Sequence, residues 1–398
     1  MAQLTGRRID AAPAGSRPFT AQEYAARIAA TRALMAERGV DALCLVGPEN
    51  IYYLAGLDHQ GHFAFTMLVM PMDGEPRLVT RAMERETVTA QVPDCAHVPF
   101  ADGASPADAA ARAVHDLTAR GATVAFELAS MSLPVTVWRE LGEKLSDRHL
   151  IDSSGLVESV RELKSPAEIG YVRDAAAISD RAAQAAVEAA RPGVNERDVA
   201  AAVYDAMIRA GGEYPGFVPL VRSRETLLQE HVTWRDHVVT LGDALFVELA
   251  GVVARYHAPT SRMIYLGDAP AGTDLAANIA CDGLEAVRLA LRPGTTAGEV
   301  YAAWQHVVDD GLGHSHYRRH HCGYMTGIGF PPSWVGGSSV VGLRQGSDLE
   351  IRAGMVFHVL SWILGQQLAD YVISDTVLVT TDGGEILTTT DRTPIIKH

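Results

Sequence analysis

The chain lacks three features: a long apolar run, a paired cysteine motif and an excess of basic residues. None of its 398 residues belongs to a run approaching the roughly 18 to 20 apolar residues of a membrane span, and no apolar signal segment follows Arg7 and Arg8. Its four cysteines form no Cys-x-x-Cys pair, which is typical of reduced thiols. The formal net charge of −14 disfavours nucleic acid, whose phosphates require a basic surface. The sequence therefore predicts a cytoplasmic protein that acts on a small molecule and binds neither nucleic acid nor membranes.

Length and the pattern of elements predict two domains. A chain of 398 residues is too long for one ordinary hydrophobic core. Residues 1–18 read as a flexible lead-in. Alternating helical and apolar segments then predict an α/β domain over residues 19–160, and residues 161–398 form the second domain.

Several local signals fix element positions within these domains. Thr20 and Glu23 have the spacing of a capping box and predict a helix that follows them. The short apolar run at residues 51–54 predicts a strand. Pro166 stands at a plausible first helical position, so we expect a long alanine-rich helix from there toward Ala190.

The second domain contains the same layout twice. The first copy opens with Pro192-Gly193, continues through a helical stretch and reaches the apolar strand 241–248. The second copy opens with Pro293-Gly294, continues through another helix and reaches the strand 353–360. A duplicated helix-then-strand unit predicts two pseudo-symmetric halves, with a site in the cleft that they share.

Three motifs carry a resemblance to a known family. They are the string Arg161–Ile169, the two Pro-Gly openings, and the strand 242–248 followed by Ser261-Arg262. In these the chain resembles the creatinase/prolidase family over its whole length. The resemblance implies an α/β N-terminal domain, an α+β duplicated C-terminal domain of the pita-bread fold, and a homodimer in which the N-terminal domain of one subunit borders the site of the other.

The family's metallopeptidases hold two divalent metals with two Asp, one His and two Glu. The resemblance places these five ligands on Glu248, Pro259, Tyr324, Leu360 and Ser374 of this chain. Only the first position keeps an acidic side chain. Because two adjacent divalent ions need several carboxylates to offset their charge, a dinuclear metal site is not expected.

Metal-independent members of the family offer a closer likeness. The chain is similar to the ectoine hydrolases in segments 246–251, 255–262, 231–234 and 327–334. Creatinase and the ectoine hydrolases open a carbon–nitrogen bond in a small substrate. The resemblance therefore implies metal-free hydrolysis of a non-peptide bond.

Such a reaction needs a proton donor for the leaving nitrogen, together with a nucleophile or a base that activates water. Glu248 ends an apolar strand, so we expect partial burial and a raised pKa, which suits it to nucleophilic attack or to acid–base chemistry. His231 falls where creatinase has its catalytic histidine, and the resemblance implies a general acid or base there. The structural alternative for Glu248 is an ion pair with Arg262 or Arg255.

Five further residues are predicted to contact the substrate. His257 and His358 lie on strands that should face the cleft, and His321 precedes a glycine-rich turn that contains Tyr324. Tyr52 is predicted to reach the site across a dimer, with a place in the hydrophobic core as its alternative.

Two glycine- and histidine-rich segments suggest cofactors, and both are interpreted otherwise. The histidine-rich run 314–321 contains no cysteine, and Arg318 and Arg319 within it would repel a cation, so no metal is predicted there. The turn 323–329 lacks the lysine and the spacing of a phosphate-binding loop. We therefore expect no cofactor.

The sequence thus predicts a metal-independent hydrolase of a carbon–nitrogen bond in a small cyclic amidine, lactam or related amino-acid derivative. Glu248 and His231 would be its catalytic residues. A lyase or cyclase on the same scaffold, a non-catalytic binding protein, and an Xaa-Pro aminopeptidase are the alternatives.

Overall fold

Two compact units make up the protein in a computed structural model that describes residues 17–336, 339–366 and 368–398. The boundary between the units falls between Arg161 and Glu162. Most of the predicted lead-in lies outside the described residues. No described helix has the length and apolar character needed to cross a membrane.

The N-terminal unit combines six helices and six strands among its described residues. The helices are α1 (Ala21–Glu37), α2 (Pro48–Ala55), α3 (Arg85–Gln91), α4 (Pro106–Leu117), α5 (Val135–Lys144) and α6 (Leu156–Arg161). The strands are β1 (Ala42–Leu45), β2 (Met67–Pro71), β3 (Arg77–Arg81), β4 (Ala96–Phe100), β5 (Thr123–Phe126) and β6 (His149–Asp152). They form one mixed sheet in the order β4-β3-β2-β1-β5-β6.

The strand predicted at residues 51–54 is wrong, because these residues belong to helix α2. Pro48 stands in the first turn of α2, and Gly56 ends the helix in the left-handed conformation with a φ of 82°. Residues 49–55 are all buried, so the segment has no polar face that would reveal a helical period. Thr20, by contrast, accepts a hydrogen bond from the Glu23 N–H and is the N-cap of α1. The reciprocal bond of the predicted capping box, from the Thr20 N–H to the Glu23 side chain, does not form among the described residues.

The C-terminal unit contains the longer elements. Its helices are α7 (Pro166–Ala189), α8 (Glu196–Arg209), α9 (Thr273–Ala290) and α10 (Ala297–Leu312). Its strands are β7 (Leu220–Ser223), β8 (Ala244–Val253), β9 (Tyr256–Leu266), β10 (Gly323–Met325), β11 (Val356–Ile363), β12 (Tyr371–Thr380), β13 (Gly383–Ile386) and β14 (Ile395–Lys397).

The predicted duplication is visible in the C-terminal sheet. Its main path runs β10-β11-β12-β9-β8-β7, so two three-strand halves meet at β12 and β9 in mirrored order. Each half is preceded by two helices, α7 and α8 in the first and α9 and α10 in the second.

The two copies also share their turns. Gly193 and Gly294 adopt the left-handed conformation, with φ of 86° and 89°, before capping boxes that begin at Asn195 and Thr296. Glycine is favoured at both turns because it adopts a positive φ without steric cost.

Alternation along the strands separates two faces of this sheet. Val247 and Leu249 of β8 pack with residues of α7 and α8 in one hydrophobic cluster. Gly251 permits close approach of α7, since a Cβ there would lie 2.3 Å from the carbonyl oxygen of Ala175. Because side chains alternate between faces, Glu248 points to the opposite face, away from these helices.

Candidate active site

One row of side chains crosses the middle of the C-terminal sheet and contains Glu248. Glu248 of β8 lies directly opposite Ser261 of β9, and Ser261 lies opposite Ser374 of β12. Ser374 in turn lies opposite Leu360 of β11. Residues directly opposite each other in an antiparallel pair project to the same face, so the whole row shares the face of Glu248.

The remaining positions that the resemblance aligned with metal ligands lie on this same face. Pro259 is two residues from Ser261 on β9, and residues two apart along a strand share a face. Tyr324 of β10 lies opposite His358, which is two residues from Leu360. The fold thus brings the five aligned positions together on one surface of the sheet.

The side chains at those positions do not fit a pair of divalent metal ions. Pro259 and Leu360 provide no ligating atom, and Ser374 and Tyr324 place neutral hydroxyl groups where charged or imidazole ligands would stand. Within the described ranges, no three His, Cys, Asp or Glu side chains come together in a way that could hold a metal. Glu248 alone supplies a carboxylate.

Burial controls the acidity of Glu248. The residue is 5% exposed, and loss of hydration raises the pKa of its carboxyl group to about 7. The positive charges of Arg222 and Arg319 oppose this rise, whereas the negative charge of Glu230 adds to it. The Nε2 atom of His358 lies 3.9 Å from Oε1 of Glu248. No group among the described residues donates a hydrogen bond to the carboxylate.

A hydrogen-bonded chain runs beside Glu248. Trp334 donates from Nε1 to the Tyr324 hydroxyl at 2.9 Å, and that hydroxyl lies 2.8 Å from Nδ1 of His358. The other ring nitrogen of His358 lies 2.6 Å from the Ser374 hydroxyl. Burial raises the pKa of Tyr324 and lowers the pKa of His358 to about 3, so both are neutral at neutral pH. Two tautomers of neutral His358 satisfy these contacts: either Tyr324 donates to Nδ1 and Nε2–H donates to Ser374, or Ser374 donates to Nε2 and Nδ1–H donates to Tyr324. In each case one hydroxyl hydrogen, that of Ser374 or that of Tyr324, is left to donate to a ligand.

His321 lies next to Tyr324, at one end of this series of hydrogen-bonded side chains. Its ring centroid is 5.4 Å from that of Tyr324 and 4.1 Å from that of His320. Burial, with the neighbouring charges of His320 and Arg319, lowers the pKa of His321 to about 4. Its buried Nδ1 has no hydrogen-bond partner in the part of the chain that the structure describes.

His257 is occupied by the backbone. Its Nδ1–H donates to the carbonyl of Arg255 at 2.9 Å, and its Nε2 accepts from the N–H of Gly216 at 2.8 Å. Burial lowers the pKa of His257 to about 3. The ring therefore fixes the segment around Gly216, and neither nitrogen remains for the predicted contact with substrate.

His231 lies in the exposed turn that follows β7. It adopts a φ of 53°, and its ring stacks on Phe217 at a centroid distance of 6.1 Å. Phe217 in turn packs edge-on against Trp334 at 4.7 Å. Within residues 17–336, 339–366 and 368–398, no hydrogen bond or ion pair joins His231 to Glu248.

Tyr52 belongs to the N-terminal unit, where it is 1% exposed within α2. Its burial agrees with the core alternative. A contact across a dimer stays a prediction.

The two arginines that the sequence offered as ion-pair partners of Glu248, Arg262 and Arg255, have other partners. Arg262 projects to the helical face and pairs with Asp375 at 2.8 Å. Arg255 pairs with Glu213 at 3.0 Å. The ion-pair alternative for Glu248 therefore finds no support in the described contacts.

Sequence reasoning missed two residues of this face, Arg222 and Trp362. Arg222 lies opposite Phe246 on β7, and the rings of Trp362 and Phe246 meet at a centroid distance of 5.5 Å. The sequence showed only an arginine directly after the apolar pair Leu220-Val221, and the structure shows that Arg222 is buried with the rest of this strand. A buried cation requires a compensating group.

Comparison with known proteins identifies relatives of both units. The profile of metallopeptidase family M24 matches residues 170–381, and that of the creatinase/prolidase N-terminal domain matches residues 27–163. An ectoine hydrolase of Halomonas elongata is 29% identical over 96% of this chain and 99% of its own length. An Xaa-Pro dipeptidase of Pyrococcus horikoshii is 24% identical over 90% of this chain and 95% of its own.

Solved structures show the same fold. A prolidase from Thermococcus sibiricus superposes with a TM-score of 0.84 and 20% identity, covering 95% of this chain and all 100% of its own. Dipeptidase PepE from Mycobacterium ulcerans gives a TM-score of 0.80 at 24% identity, covering 95% and 99%. The prediction of an α/β domain followed in the sequence by a pita-bread domain is confirmed.

Proposed function

This chain belongs to metallopeptidase family M24, a family of carbon–nitrogen bond hydrolases, and we propose that it hydrolyses a non-peptide carbon–nitrogen bond in a small substrate without a metal ion. The substrate class is a cyclic amidine, a lactam or a related amino-acid derivative.

One observation carries this proposal. At the five positions aligned with metal ligands, a single buried carboxylate remains, flanked by hydroxyl groups and by side chains with no ligating atom. A peptidase that relies on two metal ions has no ligand set here, whereas a carboxyl group with a pKa of about 7 remains available for proton transfer. The similarity to an ectoine hydrolase over nearly the full chain also supports hydrolysis of a non-peptide bond.

A carboxyl group with that pKa suits both halves of a hydrolysis. Ionised Glu248 accepts a proton from water while the water oxygen adds to the amidinium carbon. Protonated Glu248 then returns that proton to the leaving nitrogen as the carbon–nitrogen bond breaks. The remaining hydroxyl proton of the intermediate passes to the released amine, so an amidinium ion and water yield an amide and an ammonium group. Direct attack by the carboxylate, followed by hydrolysis of the covalent intermediate, is the other course open to the same residue.

His231 is proposed as a second acid or base. Its place in an exposed turn, stacked on Phe217, would let it meet a substrate from the solvent side of the site. His358 holds the hydroxyl groups of Tyr324 and Ser374, and the hydroxyl that its tautomer leaves free would donate a hydrogen bond to the reacting group.

The experiment uses ectoine, a set of lactams and a set of Xaa-Pro dipeptides, with products followed by mass spectrometry. We expect the wild-type protein to hydrolyse at least one of the cyclic compounds. Glu248→Gln should lower kcat by at least about 100-fold, because it removes the proton-transferring group. His231→Ala should lower kcat by about 10-fold or more.

Glu385→Gln is the matched control. Glu385 forms a surface ion pair with Arg173 at 2.6 Å and should be dispensable for activity. Cleavage of Xaa-Pro dipeptides alone would show an aminopeptidase. Elimination or ring closure without incorporation of water would show a lyase or cyclase, and ligand-induced thermal stabilisation without turnover would show a binding protein.

We further propose that the protein acts in the cytoplasm as a homodimer. The four cysteines, all in the described residues, are free thiols, which supports a reducing compartment. The dimer rests on the family resemblance.

A further inference from the structure

Arg222 is a buried cation that lacks a carboxylate partner. The residue is 2% exposed, and its guanidinium group donates to the carbonyl of Gln229 and lies 4.0 Å from the ring centroid of Phe246. Its buried Nε has no hydrogen-bond partner among the described residues, and no ion pair within 4.0 Å is recorded for it there. Burying a charge without a counter-charge is costly, so such a group points to a ligand that completes it.

A second unpartnered donor lies nearby. The indole Nε1 of Trp362 is buried and has no partner in the described part of the chain. Trp362 packs edge-on against Phe246, and the guanidinium carbon of Arg319 lies 4.8 Å from its ring centroid. Guanidinium and indole nitrogens only donate hydrogen bonds, so the missing partner is an acceptor.

These donors share the sheet face of Glu248. Arg222 lies opposite Phe246, which is two residues from Glu248 on β8. Trp362 is two residues from Leu360, the member of the Glu248 row on β11. Two residues of a strand span about 7 Å, so the row of Phe246 and Arg222 lies about that far along the sheet from the row of Glu248. The ring of Trp362 meets Phe246 in that row.

We propose that Arg222, Trp362 and Arg319 form a subsite for a carboxylate group of the substrate, with the scissile carbon then presented to Glu248. This inference rests on the proposed function. It names the part of the substrate that is recognised apart from the reacting bond.

The local charges favour a monoanion. Arg222 and Arg319 face two acidic residues, Glu248 and Glu230, and Arg319 already pairs with Glu230 at 3.2 Å. A carboxylate adds one negative charge to this nearly balanced set. A phosphate dianion would add about two and place them beside the same acidic side chains.

Arg222 could also act only through the charge of Glu248, and the test separates the two roles. Each compound is assayed as its free acid and as its carboxamide: ectoine with ectoine carboxamide, and pyroglutamate with pyroglutamamide. A carboxylate subsite discriminates within each pair, whereas an effect through Glu248 alters kcat and its pH profile for both members equally.

For a hydrolysed compound, we expect Arg222→Met to raise the KM of the acid by about 10- to 100-fold and to leave the KM of the amide within about twofold. Arg173→Met, which removes an arginine of a surface ion pair, should change neither. Equal losses for acid and amide would overturn the subsite.

Two further measurements keep the subsite testable. If neither pair is hydrolysed, the proposed function fails for these compounds, and thermal shift decides the subsite: stabilisation by the acids alone, lost in Arg222→Met, supports it, and equal or absent stabilisation overturns it. If Arg222→Met does not fold, Trp362→Phe removes the indole N–H while it keeps an aromatic ring against Phe246, and it should raise the KM of the acid but not that of the amide. Trp138→Phe, in the other unit, is its control.

Discussion

At the scale of single residues, the pKa of Glu248 is set by burial, because no neighbouring group among the described residues donates a hydrogen bond to its carboxylate. A carboxylate with several hydrogen-bond donors stays acidic, whereas burial with no recorded donor among the described residues brings this pKa to about 7. His358, 3.9 Å away, is kept neutral by the same burial and therefore supplies no counter-charge. Burying this carboxylate costs free energy of folding, and strongly shifted pKa values of this kind are common at functional sites.

The cost predicts a stability that depends on pH. A carboxyl group whose pKa is raised on folding favours the folded state below its unfolded pKa near 4.5, and that contribution is lost as pH rises through about 7. Glu248→Gln should therefore have a free energy of unfolding on the order of 1–3 kcal/mol above wild type at pH 8, with little difference at pH 4. Urea unfolding at both pH values measures this difference.

Glu385→Gln supplies the control of opposite sign. The Arg173 guanidinium lowers the pKa of Glu385, so its contribution is present at neutral pH and is lost in acid. A Glu248→Gln variant no more stable than wild type at pH 8 would mean that the carboxyl group is not destabilised by burial.

Most residues of the candidate site could be named from the sequence, but the contacts between them could not. The aligned motifs pointed to Glu248, Tyr324 and His358, and the structure places these residues on one face. Arg222 and Trp362 escaped prediction because their significance lies in missing partners, which only a three-dimensional neighbourhood reveals.

At the scale of elements, strands β9 and β12 join the two halves of the duplicated sheet. On the helical face of this junction, the fully buried Asp375 accepts hydrogen bonds from Arg262, Thr388 and Arg392. Arg262 also donates to the carbonyls of Thr390 and Asp391, so the segment after β13 is tied to the centre of the sheet. The network supports the strands that position Glu248 and Ser374.

Asp375→Asn should destabilise the protein by about 3–5 kcal/mol, because it leaves the buried Arg262 without its counter-charge. The change in free energy of unfolding, measured with urea, tests this. Asp382→Asn, in the exposed turn before β13, is the matched control and should cost less than about 0.5 kcal/mol. A comparable small loss for Asp375→Asn would show that the network does not hold the junction.

Element prediction succeeded where local chemistry was unambiguous. Helix α7 begins at Pro166, with Ser165 and Glu168 as a capping box, near the position that the sequence indicated. It failed at residues 51–54, where the surrounding burial removed the helical period and an apolar run alone could not distinguish strand from helix.

At the scale of the whole molecule, the fold does not by itself determine the chemistry of the site. The mirrored strand order and the matching turns give the chain the architecture of family M24. The repeat could be predicted from the sequence because both copies keep their Pro-Gly openings and capping residues. Face and register determine where a residue of the sheet points but not which chemical group it carries. Substrate identity therefore could not follow from the fold.

The central claim is that this fold hydrolyses its substrate with Glu248 and no metal. The most direct test measures the metal content of the purified protein and its hydrolysis rate on a cyclic substrate before EDTA, after EDTA and dialysis, and after addition of Mn²⁺, Co²⁺ or Zn²⁺. We predict no stoichiometric metal and an unchanged rate throughout. Two metal ions per chain, with activity lost to EDTA and restored by one of these ions, would contradict the account.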